Sequence, residues 1–338
     1  MSSTIQPETI LRELSELWVS LGKEVEPGPS GVLRACAMTF IATTDGSEDP
    51  SDVWATIAAL MPEHPSRAIV IRFHQGSERE LSSRVFSQCW MPFGHRRQIC
   101  CEQIEITASD ASLPDLAPVI LPLAVADLPV ILWCRGARLF QLAEFPQLAK
   151  VAHKLVLDSA AFAEPAAILG RFEALVNSGK ALADLEWTRL TRWREMVSQV
   201  FENRNYLARL PEVRKIRIAF TGTSTPASAY YLAAWLVNCL GSVGAAAGIE
   251  WQASPEAVGH GLLRLELTSD RPDGLQVSIA GQGSEAVELR VESLVSRTVF
   301  PEDNDYRLLR EELSIPGHDS VFEASLRRAA RLARGEAS

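Results

Sequence analysis

Runs of apolar residues about the length of a β-strand alternate with segments of helical periodicity along the first half of the chain. The clearest run is Pro129-Val-Ile-Leu-Trp-Cys134, which contains no polar residue and ends at Arg135-Gly136. An unbroken run of this kind is typical of a strand that is covered on both faces. Strands of this type separated by helices predict an α/β domain with a mixed or mostly parallel sheet and flanking helices.

The alternation extends on both sides of this run. Predicted strands cover residues 32–43, 67–73, 81–90, 97–107, 129–134 and 154–158. Helical spacing of apolar residues predicts helices at 7–22, 51–60, 116–125, 138–150 and 164–177.

The length of 338 residues favours two domains, and the turn sequence Asn177-Ser-Gly179 marks the predicted boundary. We place the domains at 1–180 and 181–338. In the second, Asp184 is a predicted helix N-cap, 215–220 alternates as a strand, and 225–240 reads as a helix. Alternating segments follow at 261–269, 274–280 and 286–293, and a last helix begins at the capping box Ser320-Val-Phe-Glu323. We therefore predict a C-terminal α/β domain with an antiparallel meander.

Composition excludes several function classes. The net charge of −9, from 33 basic and 42 acidic residues, argues against a nucleic-acid partner. The amino terminus lacks a secretory signal and no run is long enough to span a membrane, so we expect a cytoplasmic protein without a membrane partner. The six cysteines include no CxxC pair, and no histidines stand at metal-ligand spacing. We therefore expect reduced thiols and neither a metal nor a cofactor.

The segment 184–201 carries the predicted partner-binding residues, which combine indole and guanidinium side chains. They are Trp187, Arg189, Arg192, Trp193 and Arg194. Trp and Arg are the residue types that most often anchor protein–protein contacts. Between Trp187 and Arg217 the chain has eight basic residues against three glutamates, a surplus of five. This surplus fits an anionic partner surface, and it equally fits a solvated or structural helix that joins two domains.

A second candidate site is the hydroxyl-rich junction between a predicted strand and a predicted helix. Its residues are Thr221, Gly222, Thr223, Ser224 and Thr225. Free backbone N–H groups at a helix start favour an anion such as a phosphate, although an ordinary capped helix explains the same residues. His64 and Arg67, in His64-Pro-Ser-Arg67, are further candidates for the same ligand. No nucleophile elbow or metalloprotease motif is present, and no catalytic residue is predicted.

An ordered series of motifs resembles the OpcA family of glucose-6-phosphate dehydrogenase assembly proteins. The central block is Asp184-Leu-Glu-Trp-Thr-Arg-Leu-Thr-Arg-Trp-Arg194. The other blocks are Arg34-Ala-Cys36, His64-Pro-Ser-Arg67, Cys101-Glu-Gln103, Val119-Ile-Leu-Pro-Leu123, Asp127-Leu-Pro-Val-Ile-Leu-Trp133, Leu157-Asp-Ser159 and Ala233-Ala-Trp-Leu236. Together they extend from about residue 31 to 241.

The resemblance implies a non-catalytic protein that binds glucose-6-phosphate dehydrogenase and promotes its active oligomer in the oxidative pentose phosphate pathway. For cyanobacterial members it also implies redox control through cysteines. An alternative hypothesis rests on the α/β pattern and the hydroxyl-rich 221–225 junction. In that alternative the chain is a sugar-phosphate-binding enzyme of the same pathway, similar to a lactonase or an isomerase, and a sugar phosphate is a possible ligand in either case.

Overall fold

The computed structural model describes residues 5–24, 32–46, 48–92, 98–256, 261–282, 286–300, 303–315 and 317–336. The described chain forms two compact units. The first draws on Met1–Asp158, Lys180–Leu182 and Asp305–Gly317, and the second on Ser159–Gly179, Ala183–Asn304 and His318–Ser338. The units thus exchange segments along the chain, and the single domain boundary after residue 180 stays a prediction.

The described residues contain helices and strands in alternation. The strands are β1 (Val32–Arg34), β2 (Met38–Asp45), β3 (Ser66–His74), β4 (Leu81–Trp90), β5 (Gln98–Ser109), β6 (Val130–Cys134), β7 (Lys154–Leu157), β8 (Ala181–Asp184), β9 (Val213–Thr221), β10 (Gly248–Ser254), β11 (Leu262–Ser269), β12 (Gln276–Gln282), β13 (Ala286–Val291) and β14 (Leu294–Val299). The helices are α1 (Pro7–Glu24), α2 (Ser51–Leu60), α3 (Leu113–Ile120), α4 (Arg138–Gln141), α5 (Phe145–Val151), α6 (Pro165–Asn177), α7 (Leu185–Arg189), α8 (Thr191–Glu202), α9 (Arg204–Arg209), α10 (Ala227–Ser242), α11 (Asp305–Leu313) and α12 (Ser320–Ala333).

The first sheet confirms the predicted α/β class. Its strand order is β1-β5-β3-β2-β6-β7-β8, and β4 adds to β5 as an antiparallel neighbour. β2, β3, β5, β6 and β7 pair in parallel. The four residues Ala68–Ile71 of β3 are completely buried, as expected for a parallel strand covered on both faces.

Two predicted elements of this region are each divided in the structure. The predicted strand 32–43 becomes β1 and β2, because the chain leaves strand geometry between Arg34 and Met38. The predicted helix 138–150 becomes α4 and α5, because the chain is extended at Leu142 and Pro146 opens the second helix near its start.

The second sheet has the order β10-β9-β11-β12-β13-β14. β9 and β10 are parallel and are joined through α10, whereas β9, β11, β12, β13 and β14 pair antiparallel in turn. The predicted meander is therefore confirmed. Alternate residues of β9, Ile216, Ile218 and Phe220, are buried on one face of the sheet.

The last helix, α12, begins differently from the prediction. Asp319 is the N-cap, and its Oδ1 accepts hydrogen bonds from the backbone N–H groups of Val321 and Phe322 at 2.9 and 3.0 Å. The predicted capping box with Ser320 as cap is therefore wrong by one residue. An Asp at this position satisfies two N–H groups and adds a negative charge at the positive end of the helix.

The cysteines correct the expectation that all thiols are reduced. Cys89 of β4 lies opposite Cys100 of β5, and the two form a disulfide with their Cα atoms 4.1 Å apart. Burial raises the pKa of the Cys101 thiol to about 11 and that of the Cys134 thiol to about 12. Within the described chain, no helix is long and apolar enough to cross a membrane.

Candidate functional site

The Trp–Arg segment, which we define as residues 184–202, is anchored by a buried carboxylate. Asp184 is fully buried, and its Oδ1 accepts hydrogen bonds from the backbone N–H groups of Glu186 and Ser159 at 3.0 and 2.9 Å. Its Oδ2 accepts a hydrogen bond of 2.7 Å from the hydroxyl of Tyr231 on α10. The predicted N-cap is thus confirmed, and the same side chain also fixes the backbone at Ser159 and the position of α10.

Trp187 lies inside the second unit. Its side chain is 2% exposed, and its ring lies 5.9 Å from the rings of both Tyr231 and Phe322. The guanidinium of Arg194 stacks over the other side of the indole, 3.7 Å from its centroid. A side chain enclosed in this way has no surface to offer, so the structure does not support Trp187 as a residue that contacts a partner directly.

The remaining predicted partner-binding residues occupy three different environments. Trp193 is 8% exposed and its ring meets the edge of Phe300 at 6.2 Å. Arg189 is half-buried and donates a hydrogen bond of 2.9 Å to Glu186. Arg192 is exposed on α8 and pairs with Glu195 one turn away. Of the five predicted residues, Arg192 is therefore the one with a side chain that is mostly exposed.

The basic surplus of this region is largely neutralised by carboxylates from other parts of the sequence. In the second sheet Arg217 of β9 lies between Glu250 of β10 and Glu266 of β11, with hydrogen bonds of 3.1 and 2.7 Å. Lys215 also pairs with Glu250. The surplus counted in the sequence is therefore not a measure of the surface charge.

A cavity of about 630 Å³ opens in the second unit beside the Trp–Arg segment. The described residues that line it come from 159–165, from α7 and α8, from the junction between β9 and α10, and from 261–303. Its wall includes aromatic rings at Phe162, Trp193 and Phe300 and charged groups at Glu186, Arg189 and Asp303. The volume lies within the range of roughly 300–1,000 Å³ found for small-molecule sites.

Two serines in this wall have hydroxyl groups without a partner. Ser159 and Ser228 are 1% and 3% exposed, and within the described residues neither Oγ atom makes a hydrogen bond. Buried hydroxyl groups are nearly always paired in native proteins, so each unpaired one calls for an explanation. The sequence signals for these serines are weak: Ser159 ends the block Leu157-Asp-Ser159, and Ser228 lies in the first turn after Thr225-Pro226.

The predicted anion-binding junction meets this cavity at one end. Thr221 lines the cavity and is tied to Gly261, whose N–H donates to the Thr221 hydroxyl at 2.9 Å. Residues 222–224 are exposed, whereas Pro226, Ala227 and Ser228 line the cavity wall. The anion role of Gly222, Thr223, Ser224 and Thr225 stays a prediction, and the structure directs attention to the helix start that follows them.

The other two predicted ligand residues lie in the first unit. Arg67 is 7% exposed, and its guanidinium donates to Glu102 at 2.6 Å and to the carbonyl of Leu123 at 2.7 Å. His64 is half-buried at the end of the turn after α2. Arg67 is therefore committed to a buried ion pair within its own unit, and a ligand role for it and for His64 stays a prediction.

The described residues contain no group of three or more His, Cys, Asp or Glu side chains that could hold a metal ion.

Two family models match the chain. One, described as the glucose-6-phosphate dehydrogenase subunit N-terminal domain, matches residues 57–174, and the other, described as the C-terminal domain of that subunit, matches residues 180–326. Together they cover most of both halves. The chain belongs to the OpcA family. The resemblance predicted from the sequence motifs is confirmed, and the match continues through the second sheet and into α12, beyond the last motif.

Curated OpcA relatives from cyanobacteria share about a quarter of their residues with this chain. The relative from Nostoc punctiforme, named putative OxPP cycle protein OpcA, is 27% identical over 224 residues, which cover 64% of this chain and 46% of the relative. The relative of the same name from Synechococcus elongatus is 26% identical, with 54% and 41% covered. The chain thus spans less than half the length of these OpcA relatives.

Solved structures show a distant similarity to this OpcA chain. Biliverdin reductase from Synechocystis superposes with a TM-score of 0.45 at 12% identity and covers 91% of this chain and 99% of its own. The MviM dehydrogenase from Clostridium difficile superposes with a TM-score of 0.45 at 10% identity, with 88% and 98% covered. At these scores the similarity assigns no activity to the OpcA chain.

Proposed function

We propose that this chain is a non-catalytic assembly factor that binds glucose-6-phosphate dehydrogenase and promotes its active oligomeric state in the oxidative pentose phosphate pathway. The observation that carries the proposal is the match of both halves of the chain to models described as domains of the glucose-6-phosphate dehydrogenase subunit. The names of the cyanobacterial relatives, putative OxPP cycle proteins, support the same pathway.

We place the contact on the exposed side of α8 and on α9. Arg192 projects from α8 with half of its side chain exposed. α9 has no buried residue, and its Leu207 is 48% exposed. An exposed guanidinium next to an uncovered leucine gives both a directional and an apolar contact, which is the composition of an interface core.

The mechanism we propose is a shift of population. A partner that binds the active oligomer more tightly than the inactive enzyme increases the fraction of active enzyme. A shift from about 1% to about 99% active requires a difference of about 5.5 kcal/mol in binding free energy. One hot-spot residue contributes about 2 kcal/mol, so the proposed surface must supply several such contacts.

The test uses the purified chain and the dehydrogenase from the same organism. We expect a complex that is detected as an increase in mass by analytical ultracentrifugation, together with a higher rate of NADPH formation or a lower KM for glucose 6-phosphate. Absence of both a complex and a kinetic change would overturn the proposed function.

The surface is tested separately with a matched pair of charge reversals. Arg192→Glu on α8 replaces an exposed helical arginine that pairs with a glutamate on the next turn. Arg12→Glu replaces an equivalent exposed arginine of α1, which pairs with Glu16. We expect Arg192→Glu to weaken the complex at least tenfold and Arg12→Glu to leave it unchanged. Equal affinities for the two variants would place the contact elsewhere while leaving the function intact.

A further inference from the structure

We propose that the cavity of the second unit binds a phosphate monoester with a hydroxylated body, such as a sugar phosphate, in the absence of any protein partner. The proposal rests on the chemistry of the wall: partnerless hydroxyls and a helix start at one end, and carboxylates and aromatic rings at the other. It goes beyond the proposed function, since it concerns the isolated chain.

The phosphoryl group is assigned to the start of α10. The first two residues of this helix, Ala227 and Ser228, line the cavity. Their N–H groups precede the first bonds of the helix, in which the N–H groups of Ala229 and Tyr230 donate to Pro226 at 3.1 and 3.3 Å. N–H groups in this position carry the positive end of the helix dipole and favour an anion.

The serine hydroxyls complete this end of the site. The Oγ atoms of Ser159 and Ser228 are buried in the wall and have no partner within the described residues. Rotation about a single Cα–Cβ bond redirects a serine hydroxyl toward the cavity, where a phosphoryl oxygen would accept its hydrogen bond. The partnerless state is thereby explained as that of the unliganded protein, because a buried donor without an acceptor is costly.

The backbone that carries the serines is held in place without a ligand. Asp184 accepts the N–H of Ser159 at 2.9 Å and the hydroxyl of Tyr231 at 2.7 Å. Tyr231 lies three residues after Ser228 on α10, so the two share one side of the helix. A single buried carboxylate therefore fixes both serine-bearing segments, which reduces the ordering cost that ligand binding would otherwise include.

The remaining wall suits a body with several hydroxyl groups. Glu186 and Asp303 both line the cavity, and carboxylate oxygens accept hydrogen bonds from sugar hydroxyls. Trp193 and Phe300 provide flat apolar faces that can pack against the C–H groups of a sugar ring.

The charge of the wall selects among phosphorylated ligands. Among the described lining residues Arg189 is the single cationic side chain, against the two carboxylates of Glu186 and Asp303. A net negative wall tolerates one phosphoryl group at the helix start but disfavours a second or a third. We therefore expect a monophosphate to bind more tightly than a sugar bisphosphate or a nucleoside triphosphate.

The direct test is calorimetric titration of the full chain with glucose 6-phosphate, glucose, inorganic phosphate, fructose 1,6-bisphosphate and ATP. We expect saturable binding of glucose 6-phosphate and competition by inorganic phosphate. Glucose and the two polyphosphorylated compounds should bind at least tenfold more weakly. No saturable binding of glucose 6-phosphate at millimolar concentrations would overturn the proposal, as would tighter binding of ATP or of glucose.

A matched set of serine substitutions tests where the ligand binds. Ser159→Ala and Ser228→Ala each remove a hydroxyl without a partner, whereas Ser325→Ala removes a buried hydroxyl of α12 that donates to the Val321 carbonyl at 2.8 Å. We expect the double variant Ser159→Ala/Ser228→Ala to bind glucose 6-phosphate at least tenfold more weakly and to unfold at an unchanged or higher temperature. Ser325→Ala should keep the affinity and unfold at a lower temperature.

The two readouts make the result decisive. Loss of affinity without loss of thermal stability supports the site, since a general defect in folding lowers both. Unchanged affinity in the double variant overturns the assignment, even if the chain binds glucose 6-phosphate elsewhere. None of these measurements involves the dehydrogenase, so failure here leaves the proposed assembly function untouched.

Discussion

The hydrogen bond between Tyr231 and Asp184 offers a sharp test of how the second unit is held together. Both residues are fully buried, and the phenol donates to the carboxylate at 2.7 Å. Tyr231→Phe removes only the hydroxyl, and the ring keeps its contacts with Trp187 and Phe322. Any change in stability therefore reports the loss of one hydrogen bond to a buried carboxylate.

The expected cost follows from what the substitution leaves behind. A hydrogen bond to a charged group contributes about 1.5–3 kcal/mol, and the Asp184 Oδ2 atom loses the tyrosine donor in a site with no exposure to solvent. Oδ1 keeps its two backbone donors, from Ser159 and Glu186. We therefore expect the free energy of unfolding to fall by about 2 kcal/mol, in the middle of that range.

The measurement is urea unfolding followed by tryptophan fluorescence, because Trp187 is 5.9 Å from the altered ring. With a slope of about 2–3 kcal/mol/M, the transition midpoint should fall by about 0.7–1 M. Tyr230→Phe is the control, since Tyr230 is adjacent on α10 and is only partly buried. Equal midpoints for the two variants would refute the view that Asp184 depends on the Tyr231 donor.

Three further predictions follow from single features. Because burial raises the pKa of the Cys134 thiol to about 12, native protein at about pH 8 should resist alkylation there, as mass spectrometry can show; the stability that this raised pKa provides is lost as the pH rises toward 12. Cys89→Ser/Cys100→Ser opens a loop with a sequence separation of 11 and should lower the free energy of unfolding by about 3 kcal/mol, a loss that a reductant reproduces in the wild type. Asp319→Ala should cost about 1 kcal/mol in thermal unfolding, and Ser320→Ala much less, because Asp319 is the cap of α12.

The class of the fold was predictable because apolar runs and alternation are local patterns. The run 129–134 became the buried strand β6, and three alternating segments became β11, β12 and β13. β14 carried no such pattern: its residues are exposed throughout, so nothing in its sequence records a buried face. β8, with four residues, is too short for a periodicity to emerge.

The orientation of Trp187 was not predictable from one helical period across residues 184–201. The structure has two helices there, with α7 ending at Arg189, α8 beginning at Thr191 and Leu190 between them. Within α8 the period works, and Trp193, Val197 and Val200 are buried as predicted. Trp187 precedes the junction, so its direction is set by the packing of α7 against α10 rather than by the apolar side of α8.

Serine hydroxyls and carboxylate partners are also outside what sequence patterns record. Asp184, Ser159 and Tyr231 are separated by up to 47 residues, yet they form one hydrogen-bonded group. Similarly, Arg217 receives its two carboxylates from strands on either side of β9. A charge count over a window of sequence cannot include partners that the sheet brings in from elsewhere.

The helix α8 connects the two proposed sites, because adjacent residues serve each of them. Trp193 lines the cavity, whereas Arg192 lies on the exposed surface assigned to the dehydrogenase. If ligand binding shifts α8, the affinities for ligand and partner must change by the same factor, because linkage is reciprocal. Glucose 6-phosphate is also the substrate of the dehydrogenase, so its effect on the complex must be compared between the wild-type chain and Ser159→Ala/Ser228→Ala. We expect glucose 6-phosphate to change the dissociation constant of the complex more with the wild-type chain. The same change with both chains would mean that the ligand acts through the dehydrogenase alone and that the cavity is not coupled to the partner surface.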